Sequence, residues 1–265
     1  MCLLPVVPMR TRPAETEEQC SQLIFGDVFS IIDSNDSRVL VETFCDSYRG
    51  WVDKKQYVEI SKDDFYFLTK SKPLYTSEWV NEIKITNIED NITYIARVPF
   101  GCCLFSNKYR VGNYLIEAPE VRLIKSETFS EEKLLKYIEM YNYTPYLWGG
   151  KSNFATDCSG FTQSLFKLFG CALRRDASLQ AEQGVIVEKI EHAKAGDLAF
   201  FSNKEGKVVH VGVVLSNGYI AHASGFVRVD RLDSKGILRE NDNIYTHFLC
   251  KISCLLLVKS GMIIQ

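Results

Sequence analysis

Cys158 stands between Asp157 and Ser159, where an aromatic, glycine-rich loop running from Tyr143 to Thr156 gives way to an amphipathic segment. Phe161, Leu165, Leu168 and Phe169 recur there at helical spacing and Gly170 supplies a stop, so Cys158 is expected in the first turn of a helix. The unpaired N–H groups and positive dipole end of a first turn stabilise an anion, which lowers a thiol's pKa and makes it nucleophilic near neutral pH. On that basis Cys158 should react with a dilute alkylating agent before the other cysteines. A cysteine also serves as a small buried hydrophobe, and position alone leaves both roles open.

A nucleophilic thiol needs a base, and the base needs a third group to fix its ring. Only four histidines occur, His192, His210, His222 and His247. His210 and His222 fall in two expected strands joined by Ser216-Asn217-Gly218. A two-residue loop would set Val213 against His222 and turn His210 to the opposite face. A three-residue loop, with Gly218 left-handed, pairs Leu215 with Tyr219 and Gly212 with His222. The two imidazoles then lie diagonally on one face at roughly 7–8 Å between backbones, and Gly212 leaves room for their contact. The three-residue loop is therefore expected. His192 and His247 have no comparable partner in the sequence.

The elements that must position these groups change character along the chain. Short expected strands separated by polar turns, Val28 to Ile32, Arg38 to Phe44 and Gly50 to Val52, read as a small all-β barrel over residues 1–65. Ile83 to Ile88, Thr93 to Val98 and Tyr114 to Glu117 read as a second over 66–125. Near residue 126 the pattern becomes helical: Thr128 to Glu131 fits a capping box, and Leu134, Leu135, Ile138 and Tyr141 follow at helical spacing. After the Cys158 helix come strands at Val185 to Ile190, Asp197 to Phe201, Val208 to Leu215, Tyr219 to Ala223 and Cys250 to Val258. Helices followed by an antiparallel sheet indicate an α+β fold over 126–265.

Composition excludes several classes. The 265 residues are 46% hydrophobic with a net charge of −2, which suits a globular core and argues against a general nucleic-acid or anionic-membrane binder. No apolar run approaches the roughly 20 residues of a membrane-spanning helix. The nine cysteines contain no C-x-x-C pair, so neither a zinc site nor a disulfide framework is suggested, and a reducing compartment is favoured. Met1 to Met9 makes a poor signal peptide, with Pro5 and Pro8 and no basic start. A cytoplasmic location is expected, the alternative being an exported protein whose signal is absent from this numbering.

Five motifs, Tyr146-Leu147-Trp148-Gly149-Gly150, Asp157-Cys158-Ser159-Gly160-Phe161, Gly196-Asp197-Leu198-Ala199-Phe200-Phe201, His210-Val211-Gly212-Val213 and His222-Ala223-Ser224-Gly225, resemble in order and spacing the NlpC-type, papain-like cysteine peptidases of bacterial cell-wall metabolism. The upstream barrels resemble bacterial SH3-type domains through Tyr48-Arg49-Gly50-Trp51-Val52. Together with Arg175-Asp176-Ala177, the combination resembles the YkfC-like γ-D-glutamyl-L-diamino acid endopeptidases. The resemblance implies Cys158 as nucleophile, His210 as base and His222 as orienting residue, with neither metal nor cofactor. It implies a murein peptide substrate, L-Ala-γ-D-Glu-diamino acid with a free amino end. Asp157 would meet the substrate ammonium group or simply cap its helix. Ser159, Arg175 and Asp176 would contact substrate backbone or carboxylates, or pack the loop, and Tyr146 would sit near the developing oxyanion. Tyr48, or one of Glu15, Glu17 and Glu18, would be a second partner for the ammonium group. A thiol amidase or acyltransferase, and a non-catalytic wall-binding protein, are the competing readings.

Overall fold

The computed structural model describes residues 1–239 and 241–255. They form two compact units, Met1–Glu127 with Trp148–Phe154, and Thr128–Leu147 with the residues from Ala155 onward.

The first unit opens with β1 (Val6–Arg10), β2 (Gln19–Ile24), β3 (Phe29–Ser34), β4 (Arg38–Thr43) and β5 (Arg49–Asp53), in the sheet order β2-β1-β5-β4-β3. The turn between β3 and β4 is held by Asn35, whose Oδ1 accepts from the N–H groups of Ser37 and Arg38, as short amide side chains do in turns. Next comes α1 (Lys62–Lys70), which the strand pattern does not foretell. Ser61 caps it by accepting from the Asp64 N–H. Then β6 (Leu74–Thr76), β7 (Val80–Asn87), β8 (Ile92–Pro99), β9 (Cys103–Leu104), β10 (Lys108–Val111), β11 (Tyr114–Glu117) and β12 (Leu123–Ile124) build two further sheets. Ile24, Phe25 and Val28 share one core with Ile83, Val98 and Ile116, so the two all-β parts are stabilised jointly.

The segment Trp148–Phe154, including β13 (Lys151–Ser152), also belongs to this unit, an excursion that a single boundary near residue 126 does not anticipate. The Trp148 indole donates to Glu18 Oε1 at 2.7 Å, Gln19 Nε2 donates to the Trp148 carbonyl at 2.9 Å, and the Lys151 N–H donates to Gln22 Oε1 at 2.9 Å. Gly149 has φ +78° and any Cβ there would stand 2.7 Å from the Gln19 carbonyl oxygen, so only glycine fits.

In the second unit, α2 (Glu131–Glu139) starts at Ser130, whose hydroxyl accepts from the Lys133 N–H. The cap thus lies two residues beyond the Thr128 that the capping-box pattern favours. After β14 (Ala155–Thr156) comes α3 (Cys158–Leu168), with Asp157 as its cap. Phe161, Leu165, Phe166 and Leu168 are fully buried on it, each contributing roughly 1.5–3 kcal/mol of hydrophobic burial. The short α4 (Ala177–Gln180) follows. Next are β15 (Val185–Ile186), β16 (Leu198–Ser202), β17 (Val208–Leu215), β18 (Tyr219–Ser224), β19 (Phe226–Leu232), β20 (Gly236–Arg239) and β21 (Ile244–Cys254). The strand expected over Val185 to Ile190 stops at Ile186 and is followed by a 3-10 turn at Ile190–His192. The strand expected over Cys250 to Val258 begins earlier, at Ile244; residues 256–258 lie outside the described residues.

The fold is α+β, with α3 packed on β17 and β18. The antiparallel sheet runs β15-β21-β16-β17-β18-β19-β20, and β20 pairs again with β21, closing the sheet on itself. That closure is what returns the end of the chain to the strands bearing His210 and His222. Among the described residues, no helix is long and apolar enough to cross a membrane.

Candidate active site

The hairpin between β17 and β18 has the three-residue loop Ser216-Asn217-Gly218, with Leu215 opposite Tyr219 and Gly212 opposite His222. Asn217 and Gly218 both take positive φ, 62° and 73°, a conformation that asparagine tolerates and that glycine, lacking a Cβ, adopts freely. In this register His210 and His222 share a face, and His210 Nε2 lies 2.9 Å from His222 Nδ1. The space at Gly212 is not left open for the histidines. A Cβ there would meet Ile220 Cδ1 at 2.7 Å, so Gly212 admits Ile220 to the core.

A fourth group completes the line. His222 Nε2 lies 3.0 Å from Asp230 Oδ2 on β19. Asp230 in turn receives Arg228 Nη2 on Oδ1 at 2.8 Å, with Arg228 Nε 2.7 Å from Oδ2. Burial alone would push the Asp230 carboxyl up, but the hydrogen bonds from His222 and Arg228 outweigh it and hold it below its ordinary value. An ionised Asp230 is a pure acceptor, so His222 carries its proton on Nε2 and offers the Nδ1 lone pair. His210 must then donate through Nε2–H, which leaves the lone pair on its Nδ1. The chain Asp230–His222–His210 thereby sets one imidazole tautomer as a base.

Cys158 sits at the start of α3, where Asp157 Oδ1 caps the helix by accepting from the Gly160 N–H at 2.7 Å. The thiol is almost wholly buried. That burial, followed by the neighbouring Asp157 carboxylate, pushes it up to about 12, against the helix-dipole expectation. Backbone hydrogen bonding with Val211, next to His210, and with Ser159 acts in the opposite direction and is outweighed. Burial likewise drives His210 well below its ordinary value, followed by the proximity of His222 and His247. Burial thus disfavours the charged form of both the thiol and the imidazole.

Asp157, Ser159 and Arg175 are brought together, but onto one another. Arg175 Nη2 and Nη1 bind Asp157 Oδ2 and Oδ1 at 2.6 and 3.0 Å, and Nη1 also donates to Ser159 Oγ at 2.9 Å. All three are buried. With its carboxylate bonded to Arg175 and to the Gly160 N–H, Asp157 holds the nucleophile's helix in place, the cap role expected of it. Gln180 supports the same helix start, donating to the Ser159 carbonyl at 3.0 Å and accepting from Thr162 at 2.8 Å. Tyr146 is half-buried, bridged through its backbone to Gly225 and Thr156. Its hydroxyl is pushed upward by burial first and then by Cys158 and Asp157, which sets it beside the thiol. Asp176, next to Arg175, is partly exposed. Tyr48 belongs to the first unit, partly buried against the core of its five-stranded sheet, and Glu18 there is bonded to Trp148.

Residues 143–244 match the NlpC/P60 family, and residues 9–56 match the bacterial dipeptidyl-peptidase Sh3 domain. A γ-D-glutamyl-L-lysine dipeptidyl-peptidase of Bacillus subtilis is 31% identical over 212 residues, covering 77% of this chain and 68% of that protein. The chain belongs to the NlpC/P60 family. It is a cysteine peptidase of that family with an N-terminal SH3-like domain. A Bacillus cereus γ-D-glutamyl-L-lysine dipeptidyl-peptidase is 28% identical over 216 residues, and the chain spans 63% of its length. The crystal structure of a Bacillus cereus NlpC/P60 family protein superposes with a TM-score of 0.79 over 96% of this chain and 98% of that one. At 20% identity this is a likeness of fold.

The NlpC/P60 site contains three residues that sequence reasoning missed. Arg228 and Asp230 lie on β19, which was not foreseen, although the alternation Val227-Arg228-Val229-Asp230 after Gly225 carries the signal of a second hairpin. His247 stacks on His210 with centroids 4.1 Å apart and 23° between planes. Nothing local foretells that contact, because it depends on the closure of the sheet through β21.

Proposed function

We propose that the enzyme is an endopeptidase that hydrolyses the bond between γ-D-glutamate and a diamino acid in murein peptides whose preceding L-Ala has a free amino group. The observation that carries this reading is the line from Asp230 through His222 to His210, which fixes a base lone pair on the strand whose next residue, Val211, hydrogen-bonds with the Cys158 sulfur. The γ-D-glutamyl-L-lysine dipeptidyl-peptidases among its relatives supply the bond type.

Because burial disfavours charge on both thiol and imidazole, attack and proton transfer occur together in this reading. Cys158 Sγ bonds to the γ-carbonyl carbon as its proton passes to His210 Nδ1, forming a tetrahedral oxyanion. Backbone N–H groups at the start of α3 and the Tyr146 hydroxyl are the donors for that oxyanion. The C–N bond then breaks, and His210 returns the proton to the departing amine. Water attacks the thioester, giving its proton to His210, and the glutamyl carboxylate leaves as the thiol is restored. Arg175 and Ser159 act on substrate only through the helix start they hold. Asp157, next to the nucleophile, is the partner proposed for the ammonium group, with the partly exposed Asp176 at the substrate backbone. In this reading the enzyme works in the cytoplasm on peptides released from the wall.

The test is incubation with L-Ala-γ-D-Glu-diaminopimelate and with its N-acetylated form. Cleavage of the free peptide alone is expected. Equal cleavage of both would remove the ammonium-recognition step, and cleavage of neither, with other amides turned over, would favour a thiol amidase.

A further inference from the structure

His210, His222 and His247 each present one ring nitrogen, and the three nitrogens all lie within 4.8 Å of one another. They come from β17, β18 and β21, so no sequence spacing announces them. His222 already has the arrangement of a metal-bound imidazole: one nitrogen bonded to the Asp230 carboxylate at 3.0 Å, the other aimed at its neighbours. His247 Nδ1 lies 3.0 Å from Thr246 Oγ1, which leaves Nε2 as its ligating atom.

We propose that these three histidines form a binding site for a divalent transition metal that prefers imidazole, with Zn²⁺ as the type ion, and that occupancy switches the peptidase off. Tetrahedral zinc with Zn–N bonds of about 2.0–2.1 Å sets its ligand nitrogens roughly 3.3 Å apart. The His210 and His222 nitrogens, at 2.9 Å, need to spread only slightly. His247, the partly exposed member, turns its ring out of the stack to bring its nitrogen edge-on. The softness of the donor set suits zinc or copper over magnesium or calcium.

The consequence for the reaction follows from proton bookkeeping. In the working enzyme the His210 proton sits on Nε2 and the lone pair on Nδ1. A metal on Nε2 needs a lone pair there, so the Nε2 proton passes to solvent, Nδ1 takes a proton in its place, and the base is lost. No redox step is involved. Inhibition should therefore be reversible by a chelator. Binding itself does not depend on which bond the enzyme cleaves; only the inhibitory consequence rests on the peptidase reading.

The decisive experiment uses the full chain with Cys158→Ala, so that the nucleophilic thiol does not compete for the ion. Zn²⁺ is titrated in competition with a chromogenic chelator. One equivalent should bind, and adding His247→Phe, which keeps an aromatic ring over His210 but removes the donor, should weaken binding by at least about tenfold. His247→Gln should do the same, and thermal melts establish that each variant is folded. No zinc binding by Cys158→Ala, or equal binding by a folded His247 variant, would overturn the site. Because this assay contains no peptide, a wrong substrate assignment would leave its result intact. In the enzyme with its thiol, Zn²⁺ should abolish turnover and a chelator restore it. Inhibition equally strong in His247→Phe would place the inhibitory ion elsewhere.

Discussion

The Arg175 guanidinium lies flat against the Asp157 carboxylate, with two hydrogen bonds of 2.6 and 3.0 Å, one residue away from the nucleophile. Both side chains are buried, Arg175 at 1% exposure, so neither charge can be relieved by water if the other is removed. Arg175→Met should cost about 3–5 kcal/mol. Chemical denaturation measures this directly, and a loss below about 1 kcal/mol would mean that the pair is solvated as a surface ion pair would be. Asp157→Asn should be destabilising in the same way. It should also weaken the preference for a free amino end, because it removes the carboxylate proposed to meet the ammonium group.

Asp230 acts through His222 on the tautomer of His210. Asp230→Asn can present its amide as a donor to Nε2, which would reverse the proton positions along the line. It should lower kcat by at least about tenfold with KM little changed. An unaltered kcat in a folded variant would remove Asp230 from the relay.

The burial that disfavours charge on the thiol and imidazole has a pH signature. With Cys158 pushed up to about 12 by burial, its alkylation by a small reagent should rise about tenfold per pH unit from 7 to 10, with exposed Cys45 modified first at neutral pH. A rate already at its plateau at pH 7 would instead indicate a thiolate–imidazolium pair. For turnover, the acid limb belongs to His210. Its pKa is lowered, so protonation removes the base only well below pH 6.5, and kcat/KM should be level through neutrality.

Gly212→Ala tests the packing beneath the hairpin. The added methyl meets Ile220 at 2.7 Å, an overpacking expected to cost about 1–3 kcal/mol. Pairing it with Ile220→Val should recover part of that loss in a double-mutant cycle. Additive costs would show that the clash is relieved elsewhere.

Local pattern was enough to read the helix carrying Cys158, the β17–β18 register and the histidine pair, because helical spacing, a left-handed glycine turn and a period of two act within a few residues. The same logic misplaced the cap of α2 by two residues, as several hydroxyls there could serve. Nor does any local rule reveal that Arg175 folds back on Asp157. The thiol's pKa was misjudged for a similar reason. The helix dipole is a local property, whereas desolvation depends on everything packed around the site.

What the sequence by itself determined is the chemistry available: one cysteine at a helix start, two histidines on one sheet face, and a family likeness spread over five motifs. What only the tertiary structure decided is how those groups are tuned and joined. The closure of the sheet brings His247 onto His210, and the pairing of β18 with β19 sets Asp230 behind His222. Both depend on contacts between strands distant in sequence, where burial and charge act through space and leave no periodic trace along the chain.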